Sequence, residues 1–205
     1  GSHTEGILKQ LHQNGNLIAT DVDKDAFNYS FEKFKDDKRV KLYNYNFTEI
    51  DTIARIESIE KFDGIFADLG VSSFQLDNTA SGFTYRTEAK LDLRMDKTKL
   101  ISASDILNSF SEESIAKLLY EYGEEKNSRQ IAKRICEQRI VKKFETTFDL
   151  TSIIEKLTPQ RFLTKTLSRV FQALRIYVND ELESLKNFLN KSFGLLKTGG
   201  RIVIL

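Results

Sequence analysis

The stretch FDGIFADLGVSSFQLDNTASGFTYRTEAKLDLRMD, residues 62–96, is the most informative part of this sequence. Its apolar start ends on Asp68, and the small residues 70–73 follow as a turn. In an open α/β sheet, ligands bind outside the carboxyl ends of the strands, so a carboxylate at that place is a candidate for ligand binding. The dense polar residues that follow favour a functional loop, although a solvated loop after a core strand has the same pattern.

Segments with helical and strand patterns alternate on the N-terminal side of this stretch. Strands are predicted at residues 17–20, 40–45 and 64–69, and helices at residues 5–11, 25–34 and 49–59. Such alternation is typical of a parallel sheet with helices on its faces. We therefore expect an α/β fold of the Rossmann-like class.

The middle of the chain has a different pattern, with helical signals from residue 102 to residue 157 and little strand character. Three short helices are predicted there, at residues 111–123, 128–140 and 149–157. Because successive helices do not fit an alternating sheet, we expect a small all-helical domain, residues 99–164. It is inserted into a discontinuous Rossmann-like domain of residues 1–98 and 165–205.

The two ends of the chain carry further signals. Apolar side chains three or four residues apart run from Leu167 to Leu189 and predict one long helix, and residues 201–205 predict a final strand. A nucleotide-binding fold ordinarily opens with a strand that feeds a glycine-rich turn. Because that strand is absent and the chain stops in a strand, we expect a chain truncated at both ends.

The first three residues, Gly1-Ser2-His3, have two interpretations. They are either the remnant of a cleaved tag or the end of a native glycine loop. Asp21 lies about 20 residues further on, where such folds place a ribose-binding acid. This spacing favours the native loop.

The composition of the 205 residues indicates a soluble globular protein, with 40% hydrophobic and 30% charged residues. No apolar run reaches the ~18 residues that span a bilayer. The single cysteine, Cys136, excludes a disulfide framework, and the two histidines, His3 and His12, argue against a metal site. We expect a cytoplasmic protein with no metal and no membrane contact.

Positive charge is concentrated in one segment, although the net charge of the chain is only +1. Residues 125–143 hold seven basic and two acidic residues. A helix face of this kind attracts phosphate groups without reading a nucleotide sequence. Arg129, Lys133 and Arg134 are therefore candidate RNA contacts, and an ordinary solvated helix face is the alternative.

Two acids and one aromatic residue lie at or just past the ends of the predicted strands: Asp21, Phe47 and Asp68. The first carboxylate can accept hydrogen bonds from ribose hydroxyls, and a phenyl ring can pack on an adenine face. Binding of S-adenosylmethionine to an open sheet requires this pattern. Each signal is weak alone, and any enzyme that uses this cofactor would have it.

Several ordered blocks along the chain form a longer pattern. They are Gly1-Ser2-His3-Thr4, Asp21-Val22-Asp23, residues 62–96 with DLGVSS and LDLRMD, Tyr122-Gly123-Glu124-Glu125, Phe171-Gln172-Ala173-Leu174-Arg175-Ile176 and Gly199-Gly200-Arg201. In this order they resemble the ribosomal small-subunit methyltransferase H family, also called MraW, over nearly the whole chain. The departures from the family pattern include Ser2 in place of a glycine, Phe74 in place of a proline, and the absence of the first glycines and of the final SFHSLED element.

This resemblance implies a class I methyltransferase that uses S-adenosylmethionine. Its substrate would be the exocyclic N4 amine of a cytidine in 16S rRNA, in the decoding centre of the small ribosomal subunit. The implied cofactor contacts are Gly1, Ser2, His3, Asp21, Phe47, Asp68 and Gln75. The implied partner is 16S rRNA in the small subunit, and a homodimer is left open.

The resemblance also suggests which residues act on the target amine, whose lone pair is delocalised into the cytosine ring. Asp68 is the first candidate to accept from this amine. Asp92, Asp96 and Asn179 are candidate partners, and Arg94 is a candidate to hold the base or a phosphate. Alternatively, the residues of the LDLRMD block form a local ion-pair network, and the asparagine binds backbone.

Two other functions stay open at this point. One is a different methyltransferase that acts on an adenine or a small molecule, because strand-end acids serve any enzyme of this cofactor class. The other is a non-catalytic RNA-binding relative. The absent glycine strand would suit such a relative, but the presence of Asp21, Asp68 and Gln75 argues against it.

Overall fold

The computed structural model describes residues 2–71 and 82–205. The chain divides into two compact units. The first, called the sheet unit below, comprises Gly1–Leu69 and Glu183–Leu205. The second, called the helical unit, comprises Gly70–Leu182.

Helices alternate with parallel strands in the sheet unit. Its elements are α1 (Ser2–Gln10), β1 (Leu17–Thr20), α2 (Lys24–Phe34), β2 (Val40–Tyr43), α3 (Ile50–Ile56), β3 (Phe62–Ala67) and β4 (Leu196–Ile204). Strand β1 pairs with β2 and β3 pairs with β4, both in parallel. The predicted α/β class with parallel strands is confirmed, and the described strands form two two-stranded sheets.

Side-chain caps fix where two helical segments of the sheet unit begin. The Asp23 carboxylate accepts hydrogen bonds from the backbone N–H groups of Asp25 and Ala26 at the start of α2. A 3-10 turn, Phe47–Glu49, precedes α3 and is held by a capping box on Asn46. Such caps satisfy N–H groups that have no partner within the helix.

The core of the sheet unit lies between strand β3 and helix α9 (Glu181–Leu195). Ile65 and Ala67 are buried on one face of β3 and belong to the same apolar cluster as Phe188 of α9. Residues two apart on a strand share a face, so this burial fixes which face of β3 is covered.

Strand β4 is longer than the sequence predicted. It begins at Leu196 rather than residue 201, and it contains both glycines that were expected to precede it. Gly199 has a φ of +81°, and a Cβ on Gly200 would lie 2.9 Å from the carbonyl oxygen of Lys197. The glycines permit the irregular register between β3 and β4, which alternating hydrophobicity does not reveal.

The helical unit consists of successive helices. They are α4 (Ala103–Ser109), α5 (Glu112–Gly123), α6 (Ser128–Val141), α7 (Thr147–Leu157) and α8 (Gln160–Asn179), and α9 begins at its end. Ser111 caps α5 through the N–H of Ser114, and α5 ends at Gly123, both as predicted. Helix α4, which begins with a capping box on Ser102, was not predicted as a separate element.

Helix α5 packs against both α6 and α8 to form the core of this unit. Fully buried apolar side chains from the three helices meet there: Ile115, Leu119, Ile131, Ile135, Val170 and Leu174. A Cβ on Gly123 would lie 2.5 Å from the carbonyl oxygen of Arg169. The two helices therefore approach each other closely at a position where only glycine fits.

The prediction of one long helix from Leu167 to Leu189 is wrong. Helix α8 ends at Asn179, and Asp180 has a φ of 51°, with its N–H bonded to the carbonyl oxygens of Ile176 and Tyr177. Aspartate tolerates the left-handed conformation as a single residue. The apolar spacing continued across the break because both helices have the same periodicity.

The boundaries between the compact units lie after Leu69 and after Leu182. The predicted domain boundaries were at 98/99 and 164/165. Helix α8 belongs to the helical unit because it packs on α5. The functional domains assigned from the sequence stay predictions. Within the described ranges, no helix combines the length and the apolar character that a bilayer crossing requires.

Candidate active site

Two of the predicted site acids directly follow strands of the sheet unit. Asp21 follows β1, and Asp68 follows β3. The N–H of Leu69 donates to the carbonyl oxygen of Leu205 at 3.1 Å, so the pairing of β3 continues past Asp68. Both carboxylates are thus fixed at carboxyl ends of parallel strands, as predicted.

Asp21 is held mainly through its backbone. Its N–H donates to the carbonyl oxygen of Tyr43 at 3.2 Å, and its own carbonyl oxygen accepts from the side-chain amide of Asn44 at 2.7 Å. The carboxylate accepts the N–H of Asp23 at 2.9 Å. Limited hydration raises the pKa of Asp21 above its ordinary value, although the residue as a whole is exposed and stays accessible to a ligand.

His3 and Asp68 are brought together in the sheet unit. Nδ1 of His3 lies 3.1 Å from Oδ2 of Asp68, and the two side chains are 49% and 54% exposed. The imidazole also contacts the ring of Phe66, with the centroids 5.0 Å apart at 47°. The sequence marked both residues as site candidates but did not indicate that they contact each other.

Phe47 is half-buried and packs edge-on against Phe188, with ring centroids 5.3 Å apart. It also belongs to the apolar cluster of the sheet unit. Phe47 therefore has a packing role, and its contact with adenine stays a prediction. The exposed Ser2 begins helix α1, whereas Gly1 and Gln75 lie outside the described residues.

Asp92 and Arg94 form a largely buried ion pair in the helical unit. Nε of Arg94 lies 2.6 Å from Oδ1 of Asp92, whose side chain is 8% exposed. Nη2 of Arg94 and Nζ of Lys97 contact the other carboxylate oxygen at 3.1 and 3.2 Å. Burial acts to raise the pKa of Asp92, but the bond from Arg94 and the charge of Lys97 outweigh it and lower the pKa.

Asn179 is buried and its side chain binds three backbone groups. Its Oδ1 accepts the N–H of Met95 at 2.9 Å, and its Nδ2 donates to the carbonyl oxygens of Leu93 and Arg175 at 2.8 and 2.9 Å. Leu93 has a φ of 61°. Asn179 thus holds the LDLRMD segment in an uncommon backbone conformation.

Asp96 closes a local turn in the same segment. Its carboxylate accepts the N–H of Thr98 at 2.9 Å and the hydroxyl of Thr98 at 2.7 Å. These bonds lower the pKa of Asp96. The side chains of the LDLRMD segment are therefore engaged as a local network, and their predicted contacts with a substrate stay predictions.

The three predicted RNA contacts, Arg129, Lys133 and Arg134, are exposed on α6. Nη1 of Arg134 lies 2.9 Å from Oε2 of Glu137 in the next turn. The two side chains are 46% and 47% exposed, and exposed pairs contribute little to stability. Arg134 therefore remains accessible to a ligand.

Two other basic residues of the segment 125–143 have structural partners. Arg139 donates to the carbonyl oxygens of Leu107 and Phe110 at 3.0 and 2.6 Å. Lys142 pairs with Asp149 at 2.6 Å. The charge count from the sequence therefore overstated the number of cations available to a polyanion.

Arg175 is a residue to which the sequence reasoning gave no role. It forms a bidentate pair with Glu181, through Nε at 2.8 Å and Nη2 at 3.0 Å. Its guanidinium also lies 3.8 Å from the position of a Cβ on Gly70, which has a φ of +106°. The sequence did contain a signal for this role. Arg175 lies on the apolar face of the predicted helix, where a cation is rarely buried without a partner.

Metal ligands are not grouped in the described ranges, where no three His, Cys, Asp or Glu side chains are placed to hold an ion.

Comparison with known proteins identifies relatives over the whole sequence. A family model described as the MraW methylase family matches residues 1–205. The chain is 46% identical over 208 residues to a protein of Fusobacterium nucleatum subsp. nucleatum named ribosomal RNA small subunit methyltransferase H, covering 100% of this chain and 66% of the relative. Proteins of the same name from Caldicellulosiruptor saccharolyticus and Clostridium botulinum are 41% and 42% identical, again over 100% of this chain and 67% of each relative. The chain spans about two thirds of the length of these relatives.

Proposed function

The chain belongs to the MraW methylase family, and we propose on that premise that it methylates the N4 amine of a cytidine in 16S rRNA. The methyl donor would be S-adenosylmethionine, and the target would lie in the decoding centre of the small ribosomal subunit. The observation that carries this proposal is the match to that family over residues 1–205. A substrate in the ribosome would place the activity in the cytoplasm.

The sheet unit has the groups that such a cofactor needs. Asp21 presents a carboxylate directly after β1, suited to ribose hydroxyls, and Phe47 follows β2 with an aromatic face suited to adenine. His3 and Asp68 supply polar groups at the end of β3. When bound, S-adenosylmethionine supplies a methyl group on a positively charged sulfur, and a neighbouring carboxylate favours that charge.

The target amine is a weak nucleophile, so alignment and removal of its proton are the tasks of the protein. The acid–base groups of the sheet unit, His3 and Asp68, are suited to the second task. The target base must also leave its stack to be reached, as is usual for enzymes that modify a base.

RNA binding is assigned to helix α6, whose exposed Arg129, Lys133 and Arg134 suit phosphate groups. We expect Lys133→Gln to weaken RNA binding and to lower the slope of log affinity against log salt by about 1. Lys117→Gln, on the exposed face of α5, is the matched control and should change neither quantity. If the two substitutions had equal effects, the proposal that α6 binds RNA would be wrong.

Mass spectrometry of modified ribosomal RNA tests the proposed activity. Small subunits from cells that lack the gene are incubated with the protein and S-adenosylmethionine, and the RNA is then digested. We expect a single new N4-methylcytidine, and Asp21→Asn should abolish it by weakening cofactor binding. Asp36→Asn, at an exposed acid of the same unit, should leave it unchanged.

Other products of this experiment would overturn the proposal. Methylation of an adenine instead of the cytidine would support a methyltransferase of different specificity. RNA binding without any methyl transfer would support a non-catalytic relative.

A further inference from the structure

The contact between His3 and Asp68 determines more than the position of two side chains. Nδ1 of His3, and not Nε2, faces the carboxylate, at 3.1 Å from Oδ2 of Asp68. The contact with Phe66 restricts the imidazole plane. Both side chains are about half exposed, so the imidazole is accessible to a ligand.

This contact favours one tautomer of the imidazole. An ionised carboxylate only accepts hydrogen bonds, so at 3.1 Å from Oδ2 of Asp68 a neutral His3 is favoured with the hydrogen on Nδ1. In a neutral imidazole the other nitrogen, Nε2, then carries a lone pair and is an acceptor. A carboxylate that orients a general base through its Nδ1–H is a recurring catalytic arrangement, found on unrelated folds.

We propose that His3 is the general base of the methyl transfer and that Asp68 is its positioning residue. The inference rests on the proposed function and deepens it. The sequence indicated the reverse division, with Asp68 as the acceptor and His3 as a cofactor contact. Imidazole is ordinarily a stronger base than carboxylate, and one oxygen of Asp68 is already engaged by His3.

The step balances without any further reactant. The N4 lone pair forms the new N–C bond, the bond between the methyl carbon and the sulfonium sulfur breaks, and its electron pair returns to sulfur. The proton from N4 moves to Nε2 of His3, and the resulting imidazolium is stabilised by Asp68. Because His3 is half exposed, the proton can then pass to water.

Nitrogen-detected NMR of the free protein tests the geometry without cofactor or RNA. His3 and His12 are the two histidines of the sequence, and their contacts favour opposite tautomers. His12 accepts the N–H of Asn14 through Nδ1 at 3.3 Å, so its hydrogen lies on Nε2. We expect the Nδ1–H form for His3 and its loss in Asp68→Ala, which removes the acceptor; an Nε2–H form for His3 in the wild type would overturn the inference.

Paired substitutions test the chemical role. In His3→Asn the amide nitrogen takes the place of Nδ1 and can still donate to Asp68, and in His3→Gln it takes the place of Nε2. Neither variant supplies a base, so we expect kcat to fall at least about 100-fold in both. The dissociation constant of S-adenosylmethionine, measured by calorimetry, should change less than about threefold, and His12→Asn is the matched control.

Chemical rescue separates a base from a purely structural group. Added imidazole should restore part of the turnover of His3→Ala, and it should not restore that of Asp21→Asn. If His3→Asn keeps wild-type turnover, or if it loses cofactor binding alone, His3 is not the base. If the wild type itself does not methylate RNA, the proposed function fails and the inference fails with it.

Discussion

Asp92 in the helical unit and Asp68 in the sheet unit carry the same side chain in opposite surroundings. Asp92 is 8% exposed, and its two oxygens are engaged by Arg94 and Lys97. Asp68 is 54% exposed, and its partner within the described residues is His3. The hydrogen-bonding capacity of a carboxylate is used for the fold in one unit and is available for a ligand in the other.

The largest expected difference between the units is the cost of removing these two carboxylates. Asp92→Ala would leave the charge of Arg94 partly buried without its partner, so we expect the free energy of unfolding to fall by about 4 kcal/mol. Asp68→Ala removes a half-exposed group and should cost less than about 0.5 kcal/mol. Urea denaturation followed by circular dichroism measures both values.

The same two variants also provide a functional control. Asp68→Ala should stay folded and lose methyl transfer, whereas the activity of Asp92→Ala should follow the fraction that remains folded. A stable Asp92→Ala protein without activity would contradict the comparison, because the LDLRMD segment would then serve the substrate directly.

Asn179 gives the second largest effect within the helical unit. Asn179→Ala would remove the side-chain hydrogen bonds to the Met95 N–H and to the Leu93 and Arg175 carbonyl oxygens. Each buried group left unpaired costs about 1 to 3 kcal/mol, and because some of these groups can regain water we expect a total loss of about 3 kcal/mol, measured by urea denaturation. Asn127→Ala, at an exposed residue before α6 whose side chain makes no cap bond, is the control. Similar losses of unfolding free energy in both variants would show that the hydrogen bonds of the Asn179 side chain do not stabilise the protein.

Several elements of the fold could be predicted from the sequence alone. Strand β1 was predicted at its observed bounds, and α5 was predicted with its Ser111 cap and its end at Gly123. These features depend on side chains close in sequence, such as a cap and the N–H groups it binds. Local patterns were sufficient for them.

Other features depended on contacts between distant residues. The break at Asp180 is a single-residue conformation within an unbroken apolar periodicity. Arg139 was counted as a surface cation, but carbonyl oxygens from residues 107 and 110 bind it. The pairing of His3 with Asp68 joins residues 65 positions apart in the sequence, and no local pattern encodes such a contact.

Asp149 in the helical unit should make the stability of the protein depend on pH. Its ionised carboxylate is expected to contribute about 2 kcal/mol to the unfolding free energy. Burial acts to raise its pKa, but the bond from Lys142 and the backbone N–H groups of Thr146 and Glu145 prevail and lower the pKa from 3.8 to about 2. Because the pKa is lower in the folded state, this stabilisation is complete above pH 3.8. It is lost as the pH falls towards 2.

The pH dependence is measured against a variant that cannot titrate at this position. The difference in unfolding free energy between the wild type and Asp149→Asn should be about 2 kcal/mol at neutral pH, and it should shrink as the pH falls towards 2. A difference that stays constant with pH would mean that hydrogen-bond geometry, and not the charge of Asp149, stabilises the start of α7.

The smallest effect, and the one of opposite sign, is expected at Ser192 in the sheet unit. Its hydroxyl is fully buried in α9, and Oγ has no hydrogen-bond partner among the described residues. Ser192→Ala removes this unpaired group and also favours the helix, so we expect a gain of about 1 kcal/mol in unfolding free energy. Ser104 in the helical unit donates to the carbonyl oxygen of Phe144 at 2.6 Å, so Ser104→Ala should lose about 1 kcal/mol. If both substitutions destabilise the protein, the Ser192 hydroxyl is satisfied in solution, and the sheet unit uses its polar groups as fully as the helical unit does.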